Sequence, residues 1–155
     1  MKTLLFALTL AALPPLAFPM LAADPAGFEM WKGADLKARA KAINTATGSI
    51  DLTKWDNHFV ALVERDEKNG PIEVHQAWVD VYFILAGQGS LTVGGELVNP
   101  KTTAPGEIRG TAIKGGVEKQ LGAGDVVHIA AGMPHHVKGT AGVKLSYFLV
   151  KVPAK

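Results

Sequence analysis

The stretch Gly124-Asp-Val-Val-His-Ile-Ala-Ala-Gly-Met-Pro-His135 governs the reading of this 155-residue chain. Its first glycine is followed by Asp125 to Ile129, which reads as a short strand. Gly132-Met133-Pro134 then forms a second turn, which swings His135 inward at the head of another strand, His136 to Lys138.

The same punctuation runs outward in both directions. Upstream, Phe59 to Val63, Ile72 to His75, Val79 to Leu85, Ser90 to Val93 and Glu96 to Val98 read as strands, with glycine-bearing turns in every connection but Gln76 to Trp78. Asn99 to Gly110, with two prolines and little periodicity, reads as a surface excursion. Pairing resumes in Ile108 to Ile113, Val117 to Leu121, Asp125 to Ile129 and Lys144 to Lys151. Short strands at this spacing define an antiparallel sandwich or barrel rather than alternating helices and strands. The exception is Ala34 to Ile43, where Leu36, Ala40 and Ile43 recur at helical spacing; this short N-terminal helix is expected to cover a sheet from outside.

The first twenty-odd residues fall outside this pattern. Lys2 precedes an apolar run, Leu4 to Leu13, too short to cross a bilayer, and Ala22-Ala23 supply small residues before Asp24. Residues 1–23 are therefore expected to be a secretory signal peptide cleaved after Ala23, with Ala22 the close alternative. Residues 24–155 then form a single domain in the periplasm or outside the cell. Taking Lys2 from the 16 basic residues leaves fifteen against 14 acidic ones, without basic runs, which gives no case for nucleic acid or a membrane surface as partner. Cysteine is absent, so thiolate chemistry is excluded and any metal must take nitrogen and oxygen ligands. No phosphate loop and no Gly-x-Ser-x-Gly nucleophile elbow occurs.

The quoted stretch resembles the second motif of the cupins, G-x5-P-x-G-x2-H-x3-N. Ala130 stands at the proline position and Gly139 where asparagine is usual. Anchoring the first cupin motif, G-x5-H-x-H-x(3,4)-E-x6-G, on Gly87 puts Asp80 at the glutamate, His75 at the second histidine and Glu73 at the first. Its opening glycine falls at Glu67. The resemblance implies a mainly β, single-domain antiparallel jelly-roll barrel with a divalent metal held by His75, Asp80 and His135. Glu73 would be a fourth ligand, a general base or a residue of a solvated edge strand.

Spacing bears on this independently. Glu73 and His75, two apart, project to one face of a strand, whereas Asp80, five from His75, requires a bulge or bend within Gln76 to Val79. Two histidines and a carboxylate with open positions favour Fe(II), with manganese, nickel and zinc as alternatives. Tyr82 shares parity with Asp80 and is the second candidate for moving a proton. Trp78 would wall the barrel mouth, and Arg65 and Arg109 are candidates for gripping a substrate carboxylate. His58, His128 and His136 read as structural or exposed. The resulting expectation is an exported metal-dependent enzyme acting on a small polar organic molecule, by oxidation with dioxygen or by isomerase or lyase proton transfer. The alternative is a non-catalytic module that binds a small ligand or a metal. The resemblance also implies a homodimer.

Overall fold

The computed structural model describes residues 24–43, 48–68 and 70–155. The expected signal peptide, residues 1–23, lies outside the described residues. The chain divides into two compact units, Met1–Met30 and Trp31–Lys155. In the first, the described part holds a turn in which the Phe28 amide donates to the Pro25 carbonyl.

The second unit opens with α1, Gly33–Lys41, followed, among the described residues, by thirteen strands. These are β1 Ser49–Trp55, β2 His58–Arg65, β3 Ile72–His75, β4 Trp78–Ala86, β5 Gln88–Val93, β6 Glu96–Val98 and β7 Lys101–Ala104. They continue with β8 Glu107–Arg109, β9 Ala112–Lys114, β10 Val117–Gly122, β11 Val126–Ile129, β12 His135–Gly139 and β13 Leu145–Pro153. One sheet runs β1-β2-β13-β4-β11 and a second β10-β5-β12-β3-β8-β7, with β6 and β9 as a small separate ladder. The pairings among these strands are antiparallel.

Side chains alternate across both large sheets, as a two-layer barrel requires. In β13, Leu145 and Tyr147 point inward. They meet Ala61 and Val63 from β2, Tyr82 and Ile84 from β4, and Leu91, Leu121, Ile129 and Val137 from the other strands. Helix α1 buries no residue completely. Its half-buried Leu36 and Ala40 line a cavity with Leu62 and Phe148 on the outer face of the first sheet, so it is the external cover expected.

Three sequence readings change. The supposed excursion contains β7 and β8, which extend the second sheet beyond β3. The single strand expected over Ile108 to Ile113 is divided at Gly110-Thr111, one half in β8 and the other in β9. The turn glycine Gly110 leaves little room for a side chain, because a Cβ there would press on Leu97 and the Val98 carbonyl. Strand β1 lay in a region given no strand, and it closes the edge of the first sheet against β2.

Candidate metal centre

The site forms where β3, β4, β12 and β13 approach one another inside the barrel. Glu73 and His75 lie on one face of β3, as their spacing requires, and His135 on β12 is directly opposite Glu73. Because β8 continues the sheet past β3, Glu73 is not on an edge; its side chain is only 12% exposed. The bend required before Asp80 exists at Gln76-Ala77, but it does more than restore parity. There the chain leaves the second sheet and enters the first, so His75 and Asp80 face each other from opposite walls. The Gln76 amide donates to the Gly106 carbonyl at 2.8 Å, and the Ala77 carbonyl accepts from the Ala154 amide at 2.9 Å, pinning the crossing.

The glycine of the quoted stretch has a definite part in this. Gly132 adopts φ +78°, accessible to glycine at little cost, and its amide donates to the His75 carbonyl at 2.8 Å. The turn that delivers His135 is thereby fastened to the backbone of the other histidine.

Four side chains converge. His75 Nε2 lies 3.6 Å from Glu73 Oε1 and 3.6 Å from Asp80 Oδ2; His135 Nε2 lies 3.5 Å from each of the same oxygens. Donor atoms of Glu73, His75 and His135 all fall within 4.8 Å of one another, while Asp80 joins through its approach to the two imidazoles. Separations near 3.5 Å suit donors that each stand about 2.1 Å from a shared cation. Both histidines are oriented from behind. His75 Nδ1 donates to Glu107 Oε2 at 2.7 Å and His135 Nδ1 to the Met133 carbonyl at 3.0 Å, which turns both Nε2 atoms into the site. His135 Nε2 and Asp80 Oδ1 are buried without a hydrogen bond. Polar atoms gathered at one buried point without hydrogen bonds among the described residues are what a cation satisfies, the place being taken in its absence by a proton on His135. The residues therefore fit a divalent metal.

Resident charges already occupy the surroundings. Lys151 on β13, opposite Asp80 in register, donates from Nζ to His75 Nε2 at 2.7 Å and stands 3.4 Å from Asp80 Oδ1. Arg109 Nη1 lies 2.8 Å from Glu73 Oε2 and 3.3 Å from Glu107 Oε2. Burial by itself would raise the carboxyl of Glu73, but the imidazoles of His135 and His75 outweigh it and hold the group well below the usual range. Asp80 is likewise lowered, with burial opposed by His135 and Lys151. Burial disfavours charge on His135, yet its contacts with Asp80 and Glu73 raise it to about 9. The Tyr82 hydroxyl donates to Asp80 Oδ2 at 3.1 Å; burial, with Tyr147 and Asp80 adding to it, pushes this phenol well above its ordinary value.

Other candidates fall elsewhere. Arg109 is engaged with Glu73 and Glu107, so it braces the site instead of presenting a free fork to a substrate. Arg65 is buried at the end of β2 and donates to the Gly48 carbonyl. His58 bonds Asn57 and stacks on Trp55, His128 is exposed, and His136 is half-buried. Sequence reasoning missed Glu107 and Lys151. Parity could have signalled both: Lys151 shares the face of Tyr147, and Glu107 that of Arg109.

No protein-family profile matches the sequence, and no curated protein is significantly similar to it. Solved structures are similar in fold. BH2720 from Bacillus halodurans superposes with a TM-score of 0.59 at 15% identity, over 86% of this chain and 88% of that one. TT1209 from Thermus thermophilus gives 0.56 at 21% identity, over 77% and 94%. A cupin protein from Bacteroides fragilis gives 0.50 at 18% identity, over 68% and 76%. The chain thus has the cupin fold, an antiparallel jelly-roll barrel, with a group of histidines and a glutamate able to hold a metal in its interior.

Proposed function

We propose that this chain is an exported, metal-dependent cupin acting on a small polar organic molecule. The observation that supports it best is the convergence of Glu73, His75, Asp80 and His135, with both imidazoles oriented through Nδ1 and the His135 Nε2 aimed between the two carboxylates. Two neutral imidazoles with carboxylate oxygens favour Fe(II), with manganese, nickel and zinc as the other occupants this donor set accepts. Such an ion, when bound, supplies Lewis acidity and, if redox-active, a route to dioxygen chemistry.

The chain's own residues would divide the remaining work. His75, His135 and Asp80 bind the ion. Glu73, held charged and partly reachable beside Arg109, is either a fourth ligand or the base that removes a substrate proton. Tyr82 keeps its proton and gives a hydrogen bond to Asp80, which makes it a positioning residue whose phenol reaches the proton inventory of the site only through that carboxylate. A homodimer agrees with the outer face of the first sheet, where Phe83, Leu85 and Val126 are 44%, 43% and 64% exposed.

A second reading, a non-catalytic binding module, is favoured by one feature: the Lys151 ammonium lies within hydrogen-bonding distance of His75 Nε2, a position a metal would contest. Metal analysis of untagged protein, beside a His75→Ala/His135→Ala double variant, tests the metal. Roughly one equivalent in the wild type and none in the variant supports the site; equal content in both refutes it. Oxygen consumption by the Fe(II)-loaded protein across a substrate panel then separates oxidation from proton transfer and from binding alone.

A further inference from the structure

A cavity of about 230 Å³ is lined by Asp51, Lys54, Trp55, Phe59, Trp78 and Lys151. Its relation to the metal cluster follows from strand register. Across the first sheet, Lys54 on β1 pairs with Phe59 on β2, Phe59 with Lys151 on β13, and Lys151 with Asp80 on β4. Residues paired directly across antiparallel strands share a face, so these form one row running from the cavity to the cluster. Lys151 belongs to both: it lines the cavity and touches His75 and Asp80.

The lining has two chemical characters. Trp55, Phe59 and Trp78 offer aromatic surface; Trp55 fixes its indole N–H on Thr53 Oγ1 and leaves the ring about half exposed. Lys54 and Lys151 bring two cations against the single carboxylate of Asp51. Aromatic walls with lysine ammonium groups beside them select a flat ring with an anionic substituent, here against an ammonium already shared with Asp80.

We infer that the cavity binds a small aromatic carboxylate, its ring against Trp55, Phe59 and Trp78 and its carboxylate on Lys151. This deepens the proposed function by naming the substrate class of the same site. It also has a coupling built in. A carboxylate that draws the Lys151 ammonium toward the cavity weakens its bond to His75 Nε2 and so frees a metal-binding nitrogen. By linkage, ligand and metal then favour each other's binding.

The test begins with chelator-treated protein, so that it does not depend on the metal. Benzoate is titrated with tryptophan fluorescence as readout, benzyl alcohol being the uncharged control, on wild type, Lys151→Met, Lys151→Arg and Trp78→Leu. Expected are benzoate affinity at least about tenfold above that of benzyl alcohol, loss of this preference in Lys151→Met, and its retention in Lys151→Arg. Circular dichroism checks that each variant is folded. Saturating benzoate should also raise Mn(II) affinity several-fold in wild type and not in Lys151→Met. Equal binding of benzoate and benzyl alcohol, or a preference that survives Lys151→Met, overturns the inference. Benzoate selectivity without any metal binding would retain the aromatic acid site and remove the metal reading; metal binding without benzoate selectivity does the reverse.

Discussion

Metal uptake should be strongly dependent on pH, through one residue. In the metal-free site His135 is held protonated up to about 9, because its Nε2 lies 3.5 Å from both Glu73 and Asp80. A metal needs that nitrogen neutral, so binding must expel the proton. Between the ordinary imidazole value of 6.5 and about 9, affinity should therefore rise about tenfold per pH unit, or roughly a hundredfold over two units. Glu73 and Asp80 are lowered and remain ionised throughout, so they do not blur the slope. The stability of the metal-free protein should show the opposite trend. A group whose folded value is raised stabilises the fold fully below its unfolded value, near 6.5, and loses that contribution as pH climbs through about 9. The shift corresponds to about 3 kcal/mol. Calorimetric titration with Mn(II), in buffers of differing ionisation enthalpy, measures affinity and released protons together. About one proton per ion near neutral pH is expected. An affinity independent of pH over this range, or no proton release, would refute the arrangement described for His135.

Glu107→Ala removes the acceptor behind His75 Nδ1 and should weaken metal binding about tenfold to a hundredfold in the same titration. Tyr82→Phe takes a buried donor from Asp80 and should cost about 1–3 kcal/mol in urea unfolding while leaving the metal in place. Gly87→Ala should lower stability by about 2–4 kcal/mol, since the residue has φ +81° and a Cβ would collide with the Lys144 carbonyl; unchanged urea melting would contradict this. Phe83→Asp with Val126→Asp should convert a homodimer into monomers in size-exclusion chromatography with light scattering, without loss of the barrel's circular dichroism signal.

The barrel was legible because its corners depend on residues that chemistry marks. Gly124 and Gly132 have φ +93° and +78°, and Gly139, where the family pattern has asparagine, stands so near the carbonyls of Arg65 and Val143 that a Cβ would clash. What stayed hidden had no such mark. All four residues of β7 are exposed, so the strand lacks the alternation that burial on one face imposes, and it is recognisable only through its pairing with β8. That omission mattered for the site: without β7 and β8, Glu73 reads as a solvated edge residue, and Glu107 and Arg109 have no place beside it.

Within the site, only contacts along one strand could be read directly. Glu73 and His75 are two apart and their common face was evident; the approach of Asp80 and Lys151 depends on two sheets closing on each other. Lys151 is the instructive case, since a lysine in a terminal strand normally marks the solvated face. Here it lies inside because it pairs in register with the inward-facing Asp80. Glu73, Asp80 and Glu107 bring three negative charges to a partly desolvated place, and Arg109 and Lys151 return two positive ones. The remaining charge is met by the proton on His135, which is why that imidazole is raised to about 9. A divalent ion would replace this proton and compete with Lys151 for His75. Removing the lysine charge in Lys151→Met should therefore increase Mn(II) affinity by about tenfold or more, through relief of repulsion and release of Nε2. If affinity falls instead, Lys151 is holding the ligands in place for the ion, and the competition argued from its 2.7 Å contact is wrong.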